Sequence, residues 1–296
     1  MLPTSQKINF REERDFGQKL NATFHFIRSN FKALFRTVLL YVTPVALVSG
    51  ILSGLYQARL LKKIGGGYGQ ESYAELSFFE QVNSLNYYAY LFFTLVSVLM
   101  LMLTVHSYMV VYQDEEGRVE PAAVWQHIKV NLVKVIYSGV ALAFLTLLGL
   151  VLLGFGIYLS IVFSLFVIIM VREELDFIPT VERCFYLMKG NWWATFGFLL
   201  MAGLIQSVIG WLPALPAMLI PTLRMFEVPG ADSDVLLVFL NAFASVLTVF
   251  VYAVSAVAIG FQYYNLVEKK DGIGYMEQAD RIGRLQITSS ANEGHY

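Results

Sequence analysis

The chain has 296 residues, of which 57% are hydrophobic and 15% charged, and its mean hydropathy is +0.59. Soluble globular domains carry about a quarter charged residues, so this composition excludes one. The single cysteine, Cys184, excludes an internal disulfide and a cysteine-built metal cage. The net charge of −1, with basic residues scattered at the ends of apolar runs, speaks against a nucleic-acid partner.

Residues 1–36 are polar, with Arg11, Glu12, Glu13, Arg14, Asp15 and Lys19 where a signal peptide would carry its apolar core. They are expected to form a cytoplasmic arm, leaving insertion to the first span. Uncharged runs follow at Thr37–Gln57, Leu85–Tyr112, Val135–Val171, Trp192–Leu223 and Val235–Val267. The third run would make a helix of roughly 55 Å, against a hydrocarbon core of ~30 Å. A tight turn around Gly149–Gly156 divides it, because glycine permits the backbone angles a reversal needs. The pattern therefore predicts an all-α polytopic membrane protein with six spans, near 37–57, 85–112, 132–150, 154–171, 192–212 and 235–263. These lie in a membrane domain over 37–267, followed by a cytoplasmic tail over 268–296.

Charge sets the expected direction. With both termini inside, 17 of the 21 Lys and Arg fall on the cytoplasmic side, and only Arg59, Lys62, Lys63 and Arg224 lie outside. Five spans would move the basic residues of the tail outside and weaken the asymmetry. The outer loop near Ala58–Ser84 contains Gly65–Gly69 (GGGYG), which lacks the Lys-Ser/Thr of a phosphate-binding loop. Pro213–Pro221 (PALPAMLIP) is expected to break the fifth span or to end it in the interface. The tail has a weak amphipathic pattern at Ile273, Met276, Ile282 and Leu285.

An internal repeat precedes three spans. Phe24–Phe31 (FHFIRSNF), Trp125–Leu132 (WQHIKVNL) and Phe185–Trp192 (FYLMKGNW) align without gaps. Each is expected to be an amphipathic helix lying in the cytoplasmic interface, so that the spans form three hairpins, each introduced by one such helix. The matched Arg28, Lys129 and Lys189 are candidates for binding anionic lipid headgroups. The matched Asn30, Asn131 and Asn191 are expected to cap the spanning helices.

Intramembrane ionisable groups point to transport or catalysis, and the spans hold almost none. His106 is the one titratable candidate; with no acid at depth, a bond to a backbone carbonyl or Ser/Thr is expected over a proton relay. Gln206, Asn241 and Gln262 are the other strongly polar span residues, suited to interhelical hydrogen bonds more than to a substrate path. Gly50, Ser53 and Gly54, and Ala253, Ala256 and Gly260, have spacings that suit close helix contact. The acidic cluster Glu173, Glu174, Asp176 and Glu182 beside Arg172 reads as a solvated, charge-paired loop, with too few convergent oxygens for a cation. No metal site, cofactor or catalytic motif is expected.

The string ERCFYLMKGNWWATFGFLLMAGLI, preceded by VREELDF, resembles a broad group of bacterial six-span membrane proteins. That group includes the membrane region attached to some glycerophosphodiester phosphodiesterases. The opening RDFGQKLNATFHFIRSNFKALFR and the closing YYNLVEKKDG are similar to uncharacterised inner-membrane proteins of Bacteroidota. The resemblance implies the fold and a bacterial inner membrane; the phosphodiesterase domain and its acidic and histidine residues are missing, so that activity is not carried over. The function expected is non-catalytic: a scaffold, an assembly factor or a subunit of a membrane complex, with the bilayer and protein partners as its contacts. The alternative is a transporter or lipid-handling protein, to which a cavity beside Pro213–Pro221 would point.

Overall fold

In the computed structural model, residues 8–65, 83–115, 119–151, 155–277 and 279 are described, and all regular structure among them is α-helical. The helices in chain order are α1 (Phe16–Tyr41), α2 (Thr43–Gly65), α3 (Leu85–Asp114), α4 (Pro121–Val151) and α5 (Phe155–Phe163). They continue with α6 (Phe166–Arg172), α7 (Phe177–Met188), α8 (Trp192–Met225) and α9 (Asp234–Asp271). Six stretches are long and apolar enough to cross a membrane: Thr43–Lys62, Leu85–Asp114, Pro121–Val151, Phe155–Arg172, Trp192–Arg224 and Asp234–Asp271. The chain is a multi-pass membrane protein. The glycine-rich loop Gly66–Gly69, the tip of the turn at 152–154 and tail residues Ile282 and Leu285 lie outside the described residues.

Local chemistry explains where the helices start and stop. Asp15 opens α1 with a capping box: its carboxylate accepts from Gln18 N at 2.8 Å, and the Gln18 side chain accepts from Asp15 N at 3.0 Å. Ser84 and Ser233 cap α3 and α9 through their hydroxyls. Gly272, at φ 63°, ends α9 in the left-handed conformation that glycine adopts without strain. The first span begins at Thr43, later than expected, because Pro44 has no N–H for the carbonyl of Leu40 and the chain breaks at Val42.

Two expectations are corrected. Pro213, Pro216 and Pro221 do not break the fifth span; α8 runs helical through all three. Each proline removes only its own N–H, so the backbone groups around it stay paired as long as the helix continues. Nor are the repeat copies alike. The first two lie inside the continuous helices α1 and α4, and only the third straddles a break, at Lys189–Asn191 between α7 and α8.

The helices stack α8 on α9, α9 on α2, α2 on α3, and α3 on α4 and α6. The α2–α9 crossing is close: a Cβ at Gly50 would lie 2.6 Å from Ala242 Cα, and one at Gly54 2.6 Å from Val238 Cα. Short α6 is the centre of the bundle, with Phe166 to Val171 all buried. At the end that carries the termini, Phe10 from the arm sits among Phe26, Tyr112, Phe261 and Tyr264, with ring centroids 5.0–5.5 Å away. The arm is thus part of the core.

Candidate functional site

Three spans carry a stripe of small or uncharged polar residues at helical spacing. On α2 these are Ser49, Ser53 and Gln57; on α3, Tyr90, Thr94 and Ser97; on α9, Asn241, Ser245, Thr248 and Tyr252. Intervals of three and four residues bring each set onto one helix face. The three faces meet around a cavity of about 550 Å³, closed on its fourth side by Ala214, Ala217, Met218 and Pro221 of α8. That volume falls within the range of small-molecule sites.

Some of the polar groups hold one another in place. Ser49 Oγ and Thr94 Oγ1 are 2.7 Å apart, and Asn241 Nδ2 donates to Gln57 Oε1 at 3.2 Å and to Leu237 O at 3.0 Å. Ser53 Oγ donates to Asn241 Oδ1 at 3.4 Å. Ser245, Thr248 and Tyr252 line the space with no hydrogen-bond partner among the described residues. Among the described residues, no charged side chain lines it. The cavity therefore offers hydroxyl and amide groups to a neutral ligand, and no base, acid or nucleophile pair.

At the end away from the termini, Lys62 and Arg224 both pair with Asp234, tying α2 and α8 to the start of α9. A second cavity of about 460 Å³ adjoins there, lined by Arg59, Lys62, Asn83 and Asn86, with Leu60 common to both.

The other residues singled out by sequence are placed as follows. Arg28, Lys129 and Lys189 are all exposed, on α1, on α4 and after α7. Asn30 and Asn131 are not caps: each lies inside a helix and donates Nδ2 to the carbonyl four residues back, Phe26 O and His127 O, at 3.0 Å. Both helices continue past them, so no free N–H is there to cap. Asn191 does stand at the N-cap of α8, but without a side-chain capping bond. His106 is fully buried, and its Nε2–H donates to Ala256 O at 3.0 Å. The Gln206 side-chain carbonyl has no partner among the described residues. Asn241 combines both roles weighed for it, bonding across helices while lining the cavity.

Gln262 belongs to a buried relay that the sequence does not announce. Lys19 Nζ donates to Gln262 Oε1 at 2.7 Å, and Gln262 Nε2 donates to Thr195 Oγ1 at 2.8 Å. The ammonium also lies 4.7 Å from the centroid of Phe198. Burial holds Lys19 below its ordinary value of 10.5, Lys269 adds to the shift and Asp15 opposes it.

Within the acidic cluster, Glu173 and Asp176 pair outward to separate partners. Glu173 takes Arg183 Nε at 3.0 Å and the Tyr263 hydroxyl at 2.9 Å, while Arg183 also reaches Asp271. Asp176 pairs with Lys134, and Arg172 with Asp114. No group of three or more metal-ligating side chains occurs among the described residues. Cys184 is buried, and burial pushes its thiol up, away from thiolate chemistry.

The chain matches no family model, no curated protein and no solved structure.

Proposed function

We propose that this is a non-catalytic, lipid-handling protein of a bacterial inner membrane, built as three hairpins with both termini in the cytoplasm. The observation that carries the reading is the open cavity lined by α2, α3, α8 and α9, with uncharged polar stripes on three sides and an apolar wall on the fourth. A lipid reaches such a site laterally from the bilayer. The distribution of basic residues supports the orientation. The exposed Arg28, Lys129 and Lys189 then face the anionic inner leaflet, each adding about 1 kcal/mol of attraction.

Filling the cavity tests the reading. The chain purified from native membranes in mild detergent is expected to retain a defined lipid, and Ser245→Trp to lose it while keeping its melting temperature. Wild-type protein carrying only bulk lipid, or a variant that keeps the bound species, would refute the proposal. Neutralising Arg28, Lys129 and Lys189 together should lower total co-purifying anionic lipid and leave the cavity-bound species in place.

A second reading, a scaffold or complex subunit, is favoured by α8. It buries the smallest share of the six spans and exposes Leu204, Val208, Trp211 and Leu212 along one flank. Crosslinking at Trp211 that captures a partner protein in cells would give this reading precedence.

A further inference from the structure

We infer that the ligand is an anionic glycerophospholipid, with its phosphate at Arg59 and its ester carbonyls at the free donors of Gln57, Ser245 and Thr248; this rests on the lipid-handling reading of the cavity.

The order of side chains along α2 carries the inference. At 1.5 Å per residue, Arg59 stands about 3 Å beyond Gln57 and about 9 Å beyond Ser53 along the helix axis. A glycerophospholipid has the same sequence of chemistry: a charged phosphate, ester carbonyls a few ångströms deeper, then hydrocarbon. The cavity interior has hydroxyl and amide donors without charge, which suits carbonyl oxygens. A bare hydrocarbon chain gains nothing from those groups, and a small free anion would find no counter-charge among them.

The adjoining cavity supplies the charge. Arg59 is exposed into it and has no carboxylate partner among the described residues. Lys62, on the same lining, shares the single carboxylate of Asp234 with Arg224, so two cations face one acid. Among the described residues of this lining the excess is positive, and Leu60 lies on the boundary between the charged and the neutral space. A guanidinium also meets phosphate in a forked geometry that an ammonium lacks. The two volumes together seat a headgroup, the glycerol esters and the start of one chain, and the rest of the lipid stays among bilayer neighbours.

The test is native mass spectrometry of the full chain in a neutral detergent, with phosphatidylglycerol, phosphatidylcholine, diacylglycerol or inorganic phosphate added in turn. The expected result is a single phosphatidylglycerol adduct that outlasts the phosphatidylcholine adduct. Arg59→Gln should weaken phosphatidylglycerol binding roughly fivefold and leave diacylglycerol binding unchanged. Arg59→Lys should fall between, with melting temperature confirming that both variants fold. Ser245→Trp should remove all three lipids. Equal binding of the two phospholipids, unaffected by Arg59→Gln, would overturn the headgroup assignment while loss in Ser245→Trp keeps the cavity reading. Displacement of phosphatidylglycerol by inorganic phosphate would make Arg59 a free-anion site and overturn the lipid. Retention of every lipid by Ser245→Trp would sink the cavity reading itself.

Discussion

The two ends of the bundle are made from the same helices and packed in opposite ways. Toward the termini, large aromatic side chains fill the interior: Phe10, Phe26, Tyr108 and Phe261 are each no more than 1% exposed. Several charged groups there are locked to partners, as in Glu173–Arg183–Asp271, or in Glu268, which takes the N–H groups of Gly274 and Tyr275. Toward the other end, α2, α3 and α9 present serine, threonine and alanine to one another, and side chains that small leave a void. Glycines at the α2–α9 crossing stop the helices from splaying further. Packing follows the size of the inward residue rather than its polarity, and that places the cavity with the polar stripes at this end.

Three substitutions would break or sharpen this contrast. The largest effect is expected from Phe10→Ala, which removes a fully buried ring from the aromatic end and should cost about 3 kcal/mol in a detergent unfolding titration. Lipid retention should survive it in the protein that remains folded; joint loss would show that the two ends are one unit.

Gly50→Ala comes next, at about 2 kcal/mol, because its methyl group meets the backbone of Ala242 and α2 must shift. That shift moves Ser49 and Ser53, so lipid retention should fall here, as it does not for Phe10→Ala. Unchanged retention would detach the cavity from the crossing.

The smallest effect concerns pH. The folded chain binds a proton at Lys19 less readily than the unfolded chain does. Stability should therefore rise as pH is raised from neutrality toward 10.5, where the unfolded lysine also sheds its proton. Lys19→Met, which keeps the volume without the charge, should remove that slope relative to wild type. An identical slope in the variant would show that Lys19 is as hydrated as an ordinary lysine.

The membrane class was legible in the sequence because it rests on local composition: long uncharged runs cannot be covered in water. The one double-length run divides between Val151 and Phe155, where Gly149 and Gly156 let the two helices pack closely. The cavity was not, although its signal is present. Ser49, Ser53 and Gln57, or Asn241, Ser245 and Thr248, recur at helical intervals, yet small polar residues at such intervals suit tight packing as well as a void. Which of the two results depends on what the facing helix brings, and that is not local. Lys19 was unreadable for the same reason: it sits in a charged stretch, and its burial comes from Phe198 and Gln262 far along the chain. Asn30 and Asn131 misled because an asparagine after an amphipathic run suits a cap and a helix interior equally.

The buried arm also sets an order of events during synthesis. Ile8 N donates to the Tyr112 hydroxyl, Arg14 N donates to Asn265 across 251 residues of sequence, and Arg11 pairs with Glu277. Residues 8–14 thus find final neighbours that are made as late as Asn265 and Glu277. At about 5–20 residues per second, Phe10 waits roughly 10 to 50 s before Phe261 and Tyr264 exist to receive it. Throughout that interval the aromatic end is unsealed, and a chaperone or the insertion machinery can hold the arm.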